Sequence, residues 1–284
     1  MDLKKISEEI KEIVAKRQVE LELNFIEEDH IYYMKDLDGK IKNDYPSVSK
    51  ILKKFYIPFD AQKKSYEMSD GNLAEQQRLL EQWKASGDYS TNMGSRVHYN
   101  LEKELINRNG NYKEVRQPIF ECDESQIIKG DSMILAGKQF LDVMEERGCV
   151  LLDTEIVLGD NELGYVGQPD KGWLSFNRDM TDFGLIVTDW KSNQPKNFIS
   201  QPYTKKMLPP FDFYDDTALT HYYIQIPLYA RLLIKMLQGS KYSNLKFLGG
   251  IIVLLKADGV YEEYRIPQDI INKVLTMDLT KYVK

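Results

Sequence analysis

Two periodicities alternate along this chain. Ile6, Ile10, Ile13 and Val14 recur at helical spacing and predict a helix over Lys4 to Arg17. Glu20 to Ile26 and His30 to Met34 alternate at a period of two and predict a hairpin ahead of the Asp38-Gly39 turn, with His30 a lone histidine of packing or surface character. Ser47 as N-cap, with Val48, Ile51, Leu52 and Phe55 as an apolar face, predicts a short helix. Helical patterns follow over Asn72 to Ala85, over Ser90 to Asn107 with Val97, Leu101 and Leu105 inward, and over Asp131 to Arg147, closed by Gly148. The pattern then switches to strands, over Val150 to Leu158, Gly164 to Phe176 and Leu185 to Lys191. A long helix over Asp216 to Leu237 carries Pro227, a hairpin joins Phe247 to Leu255 with Gly259 to Ile266, and a helix closes the chain over Pro267 to Tyr282.

This order predicts an α/β fold in which a small mixed central β-sheet is flanked by helices, with an N-terminal helical and hairpin extension. No stretch is rich enough in Pro, Gly or Ser to separate domains, and no repeat is evident. The expectation is one domain over 1–284, with accessory hairpin and helices over 1–89, a core over 90–266 and a C-terminal helix over 267–284.

Composition narrows the class. The 284 residues are 42% hydrophobic and 29% charged, ordinary for a globular protein. No apolar run approaches the roughly 20 residues of a membrane span, and the charged N-terminus lacks the apolar core of a signal peptide and the Arg-rich character of a transit peptide. The expectation is a cytoplasmic protein with no membrane partner. Two cysteines, Cys122 and Cys149, argue for a reducing compartment and against a four-cysteine metal site. The formal net charge of −6 argues against bulk electrostatic binding of nucleic acid. A carboxylate-rich metal site would account for part of that acidity, and any nucleic-acid groove would then be a local basic stripe.

The candidate chemistry centres on Leu185 to Asn193. Side chains two apart on a strand share a face, so Asp189 and Lys191 stand together while Trp190 points to the opposite side. Desolvating such a pair costs about as much as its attraction returns, so it is an odd device for stability. It suits holding a metal ion beside a phosphate. Asp170 falls mid-strand on the preceding strand of an antiparallel meander, within reach of Asp189. His98 and Glu102 lie at i and i+4 on one helix face, a pairing that on spacing alone equally describes a polar flank. Gln225 and Tyr229 repeat that spacing on the long helix. Ser192 to Asp215 interleaves Lys196, Lys205 and Lys206 with Tyr203, Phe211, Phe213 and Tyr214. That suits single-stranded nucleic acid, and equally a surface loop whose aromatics cover the core.

Taken in order, Gly94-x3-His98-x3-Glu102, Glu155, Gly167-x2-Asp170, Asp189-Trp190-Lys191 and Gln225-x3-Tyr229 resemble the RecB-like exonuclease branch of the PD-(D/E)XK nucleases. Within that branch the chain looks closest to the mitochondrial genome maintenance exonuclease and related phage exonucleases. Pro46 to Leu52 is similar to an upstream block of these proteins, and the likeness covers roughly residues 24–255. It implies a restriction-endonuclease-like core and a metal-dependent DNA exonuclease of a phage or bacterium, serving replication, repair or recombination. DNA that is single-stranded or has free ends would be the partner, and Mg²⁺ or Mn²⁺ the cofactor. By the same resemblance His98, Asp170, Asp189 and the Trp190 main-chain carbonyl would ligate the metal. Lys191 would act on the attacking water and scissile phosphate. Glu102, Glu155, Gln225 and Tyr229 would support the site, and Lys196, Tyr203, Lys205 and Lys206 would contact DNA. The iron–sulfur cluster of some relatives is not expected, because its four cysteines are missing. An endonuclease of the same fold, or an inactive DNA-binding scaffold, are the rival readings.

Overall fold

The computed structural model describes residues 2–26, 28–29, 31–110, 115, 117–192, 198–199 and 205–283. At its centre is a five-stranded sheet. β4 (Val150–Thr154), β7 (Lys171–Phe176), β8 (Phe183–Lys191), β9 (Lys246–Leu255) and β10 (Tyr261–Arg265) lie in the order β10-β9-β8-β7-β4. β8 and β9 run parallel and every other neighbouring pair runs antiparallel. A parallel pair needs a crossover, and α6 (Ala218–Met236) supplies it between β8 and β9. The chain is therefore mixed α/β, as its patterning predicts.

Alternation on the strands sorts side chains into two cores. Leu152, Leu174, Leu185, Val187, Ile252 and Leu254 face α6, α1 (Leu3–Glu20), α2 (Val48–Leu52) and α7 (Gln268–Thr276). Leu151, Trp173, Trp190, Ile251 and Val253 face the other way, onto α4 (Leu73–Arg108) and α5 (Glu124–Glu146). Helices thus cover both faces of the sheet. Arg108 ties α4 to α5 through Asp142 at 2.6 Å while bonding Glu104 of its own helix at 2.8 Å. The extension of β1 (Asn24–Ile26), β2 (Ile31–Lys35) and β3 (Ile41–Lys42) forms a small antiparallel sheet. Ser47 caps α2 as predicted, its hydroxyl accepting from Lys50 N–H at 3.3 Å. α3 (Ala61–Met68) lies against α4.

Several predicted boundaries move. The helices expected over 72–85 and 90–107 are one 36-residue helix, α4. Gly87 and Asp88 look like a break, but an isolated glycine costs a helix only about 1 kcal/mol, which packing overrides. The strand expected over 150–158 divides into β4 and β5 (Leu158–Asp160), and that over 164–176 into β6 (Tyr165–Gly167) and β7. β5 and β6 pair as a separate two-stranded arm. Pro169 falls in the second break, where it has no ladder bond to give. Asp170 is therefore not mid-strand; it occupies the bend just before β7. The closing helix ends at Thr276, and α5 starts seven residues before Asp131. No helix among the described residues is long and apolar enough to cross a membrane.

Phe140 of α5 is fully buried, with its ring edge-on to Trp190 at 5.3 Å between centroids and to Tyr261 at 5.6 Å. Phe140→Ala should lower unfolding stability by about 3–5 kcal/mol in urea titrations. A loss below about 1 kcal/mol would contradict this packing.

Candidate metal centre

The site forms where α4 crosses the ends of β8 and β7. Gly94 allows the approach: a Cβ there would stand 3.3 Å from the Ser192 hydroxyl, just past the end of β8. One turn later on α4, His98 Nε2 lies 3.2 Å from the Trp190 carbonyl oxygen. A carbonyl can only accept, so Nε2 carries the proton in this bond. That leaves Nδ1, 3.6 Å from Asp170 Oδ2, with its lone pair free toward the carboxylate. The imidazole keeps 32% of its side chain exposed, so it lines an opening. Loss of water around it still holds its pKa well below the ordinary value, against the attraction of Asp170 and with Lys171 and Lys191 adding to the depression.

Asp170 is held from several sides. Trp190 N–H donates to Oδ2 at 3.1 Å, and the Lys171 ammonium lies 3.7 Å from the same oxygen. Burial opposes ionisation, but Lys171, His98, Lys191 and the Trp190 N–H outweigh it and keep this carboxyl well below its usual range. Its main-chain oxygen accepts the Glu155 N–H at 3.0 Å, and Gln168 Nε2 donates to the Glu155 carbonyl at 3.0 Å. These bonds hold Glu155 at φ +47°, a left-handed conformation that costs a non-glycine residue roughly 1–2 kcal/mol. The strained turn brings the Glu155 carboxylate to the site. Ligand atoms of His98, Glu155 and Asp170 all lie within 4.8 Å of one another.

Asp189 stands outside that close trio but within its electrostatic reach. It is buried, and Lys191 Nζ lies 2.5 Å from its Oδ2. The contact is an ion pair inside the protein. Burial first, then the Asp170 charge, raise the Asp189 carboxyl above the usual range, against Lys191. Burial, then Asp170, raise Glu155 in the same way. For Lys191 burial works against the charge, yet Asp189 and Asp170 outweigh it and its pKa rises. The ammonium also rests 4.3 Å from the centroid of the Tyr222 ring on α6.

A neutral imidazole and two carboxylates set this close together are groups that could hold a metal ion. Glu155, expected as a supporting group, lies with His98 and Asp170, whereas Asp189, expected as a ligand, lies outside that trio against Lys191. Glu102 accepts from Thr154 Oγ1, next to Glu155, at 3.2 Å. Gln225 Nε2 donates to Tyr229 Oη at 2.7 Å, and the buried Tyr229 packs where Gly167 offers no side chain.

Two neighbours escape a motif-based reading. Tyr222 shares the Gln225-Tyr229 face of α6 at i−3 and i−7, which the helical period could have revealed. Lys171 follows Asp170 in sequence, and only the fold shows that it is buried. Of the four residues expected on DNA, Lys196 and Tyr203 lie outside the described residues, as does His30. Lys205 is exposed, and Lys206 pairs with Asp215 at 2.7 Å. Phe211 is 2% exposed against Phe55 and belongs to the core, whereas Phe213 is 85% exposed.

No protein-family model matches the chain, and no curated protein matches it.

A Cβ at Gly167 would stand 2.7 Å from both the Tyr229 ring and the Val48 side chain. Gly167→Ala should therefore cost about 1–3 kcal/mol by overpacking, read from denaturant midpoints. Gly167→Ala combined with Val48→Ala and Tyr229→Leu should recover part of the loss. An undiminished midpoint in the single variant would contradict the close approach.

Proposed function

We propose that this chain is a metal-dependent deoxyribonuclease of the PD-(D/E)XK superfamily, in its RecB-like exonuclease branch, degrading DNA from free ends. The observation that carries the reading is the meeting of His98, Glu155 and Asp170 within ligand distance, beside the Asp189–Lys191 pair. A helix, a strained turn, a bend and a strand end each contribute a polar group to this one opening. Stability alone gives no reason to gather buried like charges in this way.

His98, Glu155, Asp170 and Asp189 would hold Mg²⁺ or Mn²⁺, with the Trp190 carbonyl beside them. When bound, such an ion neutralises charge at a phosphodiester and makes water a stronger acid. The chain's own residues supply the remainder. Asp170 stays ionised under its ring of donors and is a fixed anion for the metal. Lys191 is held as a cation by Asp189 and Asp170, which suits hydrogen bonding to a phosphate oxygen or the attacking water and not removal of a proton. Tyr222 backs Lys191 and fixes its direction. Lys205 and exposed Phe213 offer a charge and a ring to an incoming strand.

Digestion of end-labelled linear and of closed circular DNA, with Mg²⁺, Mn²⁺ or chelator, tests this reading. Linear DNA should be degraded with either metal, circular DNA spared, and chelator should stop the reaction. Asp189→Ala and Lys191→Ala should each lower the rate at least about a thousandfold while leaving the circular dichroism spectrum unchanged. Parent-level cleavage by either variant would overturn the assignment, and cutting of closed circles would favour an endonuclease.

A further inference from the structure

No step above uses the basic surface that α2 carries. Lys50 to Tyr66 holds five lysines against one carboxylate, Asp60, in a chain of net charge −6. Three of them, Lys50, Lys53 and Lys54, are exposed at the end of α2. With Tyr282 they line a cleft of about 370 Å³, in which Asp44 is the one carboxylate among the described residues. Lysines to either side are paired, Lys42 with Asp36 at 3.0 Å and Lys64 with Glu67 at 3.5 Å. Lys50, Lys53 and Lys54 have no ion-pair partner among the described residues.

The fold gives this surface a fixed base and ties both its ends to the metal centre. Ile51, Leu52 and Phe55 are buried, and the Phe55 ring stands edge-on to Phe211 at 5.0 Å and to Tyr282 at 4.8 Å. Ahead of the lysines, the Pro46 carbonyl accepts the Val166 N–H at 3.1 Å, and Val48 fills the space beside Gly167, three residues before Asp170. After them, Tyr56 stacks on His221 of α6 with ring centroids 4.0 Å apart. The next residue of α6 is Tyr222, which meets the Lys191 ammonium. Further along, Phe59 and Tyr66 are 69% and 55% exposed.

Three like charges around one cleft repel one another, and anions placed among them relieve that repulsion. Phosphates spaced along a flexible backbone match the pattern. Exposed rings close by in the chain accept unpaired bases by stacking, and the combination suits a single strand. A duplex keeps its bases stacked inside. Resting on the nuclease reading above, we infer that Lys50, Lys53 and Lys54 form a docking cleft for the backbone of single-stranded DNA, apart from the metal centre and leading the strand to it.

The test is fluorescence anisotropy of a labelled oligothymidylate in chelator, over a salt series, on the full chain. Lys50→Ala, Lys53→Ala and Lys54→Ala together should weaken binding at least about tenfold at low salt. The slope of log affinity against log salt should become shallower by about 2. The corresponding triple arginine variant keeps the charge and should stay within about threefold of the parent. Removing the same charge from α1, by Lys4→Ala, Lys5→Ala and Lys16→Ala, should also stay within about threefold, which separates location from net charge. An unchanged affinity in the α2 alanine variant would overturn the inference. So would an equal loss in the α1 variant, or tighter parent binding to a blunt duplex. If the α2 alanine variant does not fold, Lys54→Glu alone must weaken binding at least about threefold, and an unchanged affinity there overturns the inference. A parent that degrades linear DNA while its α2 alanine variant binds normally would strike the docking cleft alone. A parent that neither binds nor degrades DNA would overturn the nuclease reading with it.

Discussion

Everything at this site depends on how Asp170 is kept ionised inside protein. A buried carboxylate ordinarily takes up a proton, because removal from water penalises the charge. Here a main-chain N–H from β8 donates to Oδ2 at 3.1 Å, and the Lys171 ammonium lies 3.7 Å from the same atom. The neighbours divide the burden unequally. With Asp170 fixed as the anion, Glu155 and Asp189 are each raised by burial and by its charge. Neighbouring carboxyl groups pushed in opposite directions characterise a centre short of positive charge, and such centres serve chemistry more often than stability.

The fold meets this demand through backbone geometry. The bend after Pro169 lifts Asp170 out of β7, so its carboxylate turns toward the N–H of Trp190 one strand away. Gly94 brings α4 close to the end of β8, and the same crossing lets His98 bond the Trp190 carbonyl. One residue of β8 thus orients both partners, its N–H the acid and its carbonyl the imidazole. Its indole, on the far side, is fixed between Phe140 and the Lys171 ammonium. Packing in the α4–α5 core and charge placement at the site are joined through Trp190.

Much of this was legible in the residues themselves. Period-two patterns placed the central strands, and the Asp189-Trp190-Lys191 triplet implied two charged side chains together on one side and a buried anchor on the other, as found. Of His98 and Glu102 at helical spacing, His98 meets Glu155 and Asp170, and Glu102 bonds Thr154 beside Glu155. What was not legible depends on tertiary context. A lysine opening a strand looks like a solvated end, and only the α4–α5 layer makes Lys171 internal. Glu155 acquires its place from a left-handed turn closed by Asp170 and Gln168, which no local pattern announces. The loop after β8 shows the limit of composition: of its aromatics, Phe198 and Phe211 fill the core and Phe213 reaches solvent.

The central claim is that these side chains form a cation site, and the most direct measurement is anomalous scattering from crystals soaked in Mn²⁺. The account predicts one strong peak in contact with the Asp170 carboxylate and with at least one of His98, Glu155 and Asp189. No peak at Asp170, or Mn²⁺ only on surface carboxylates, would contradict it.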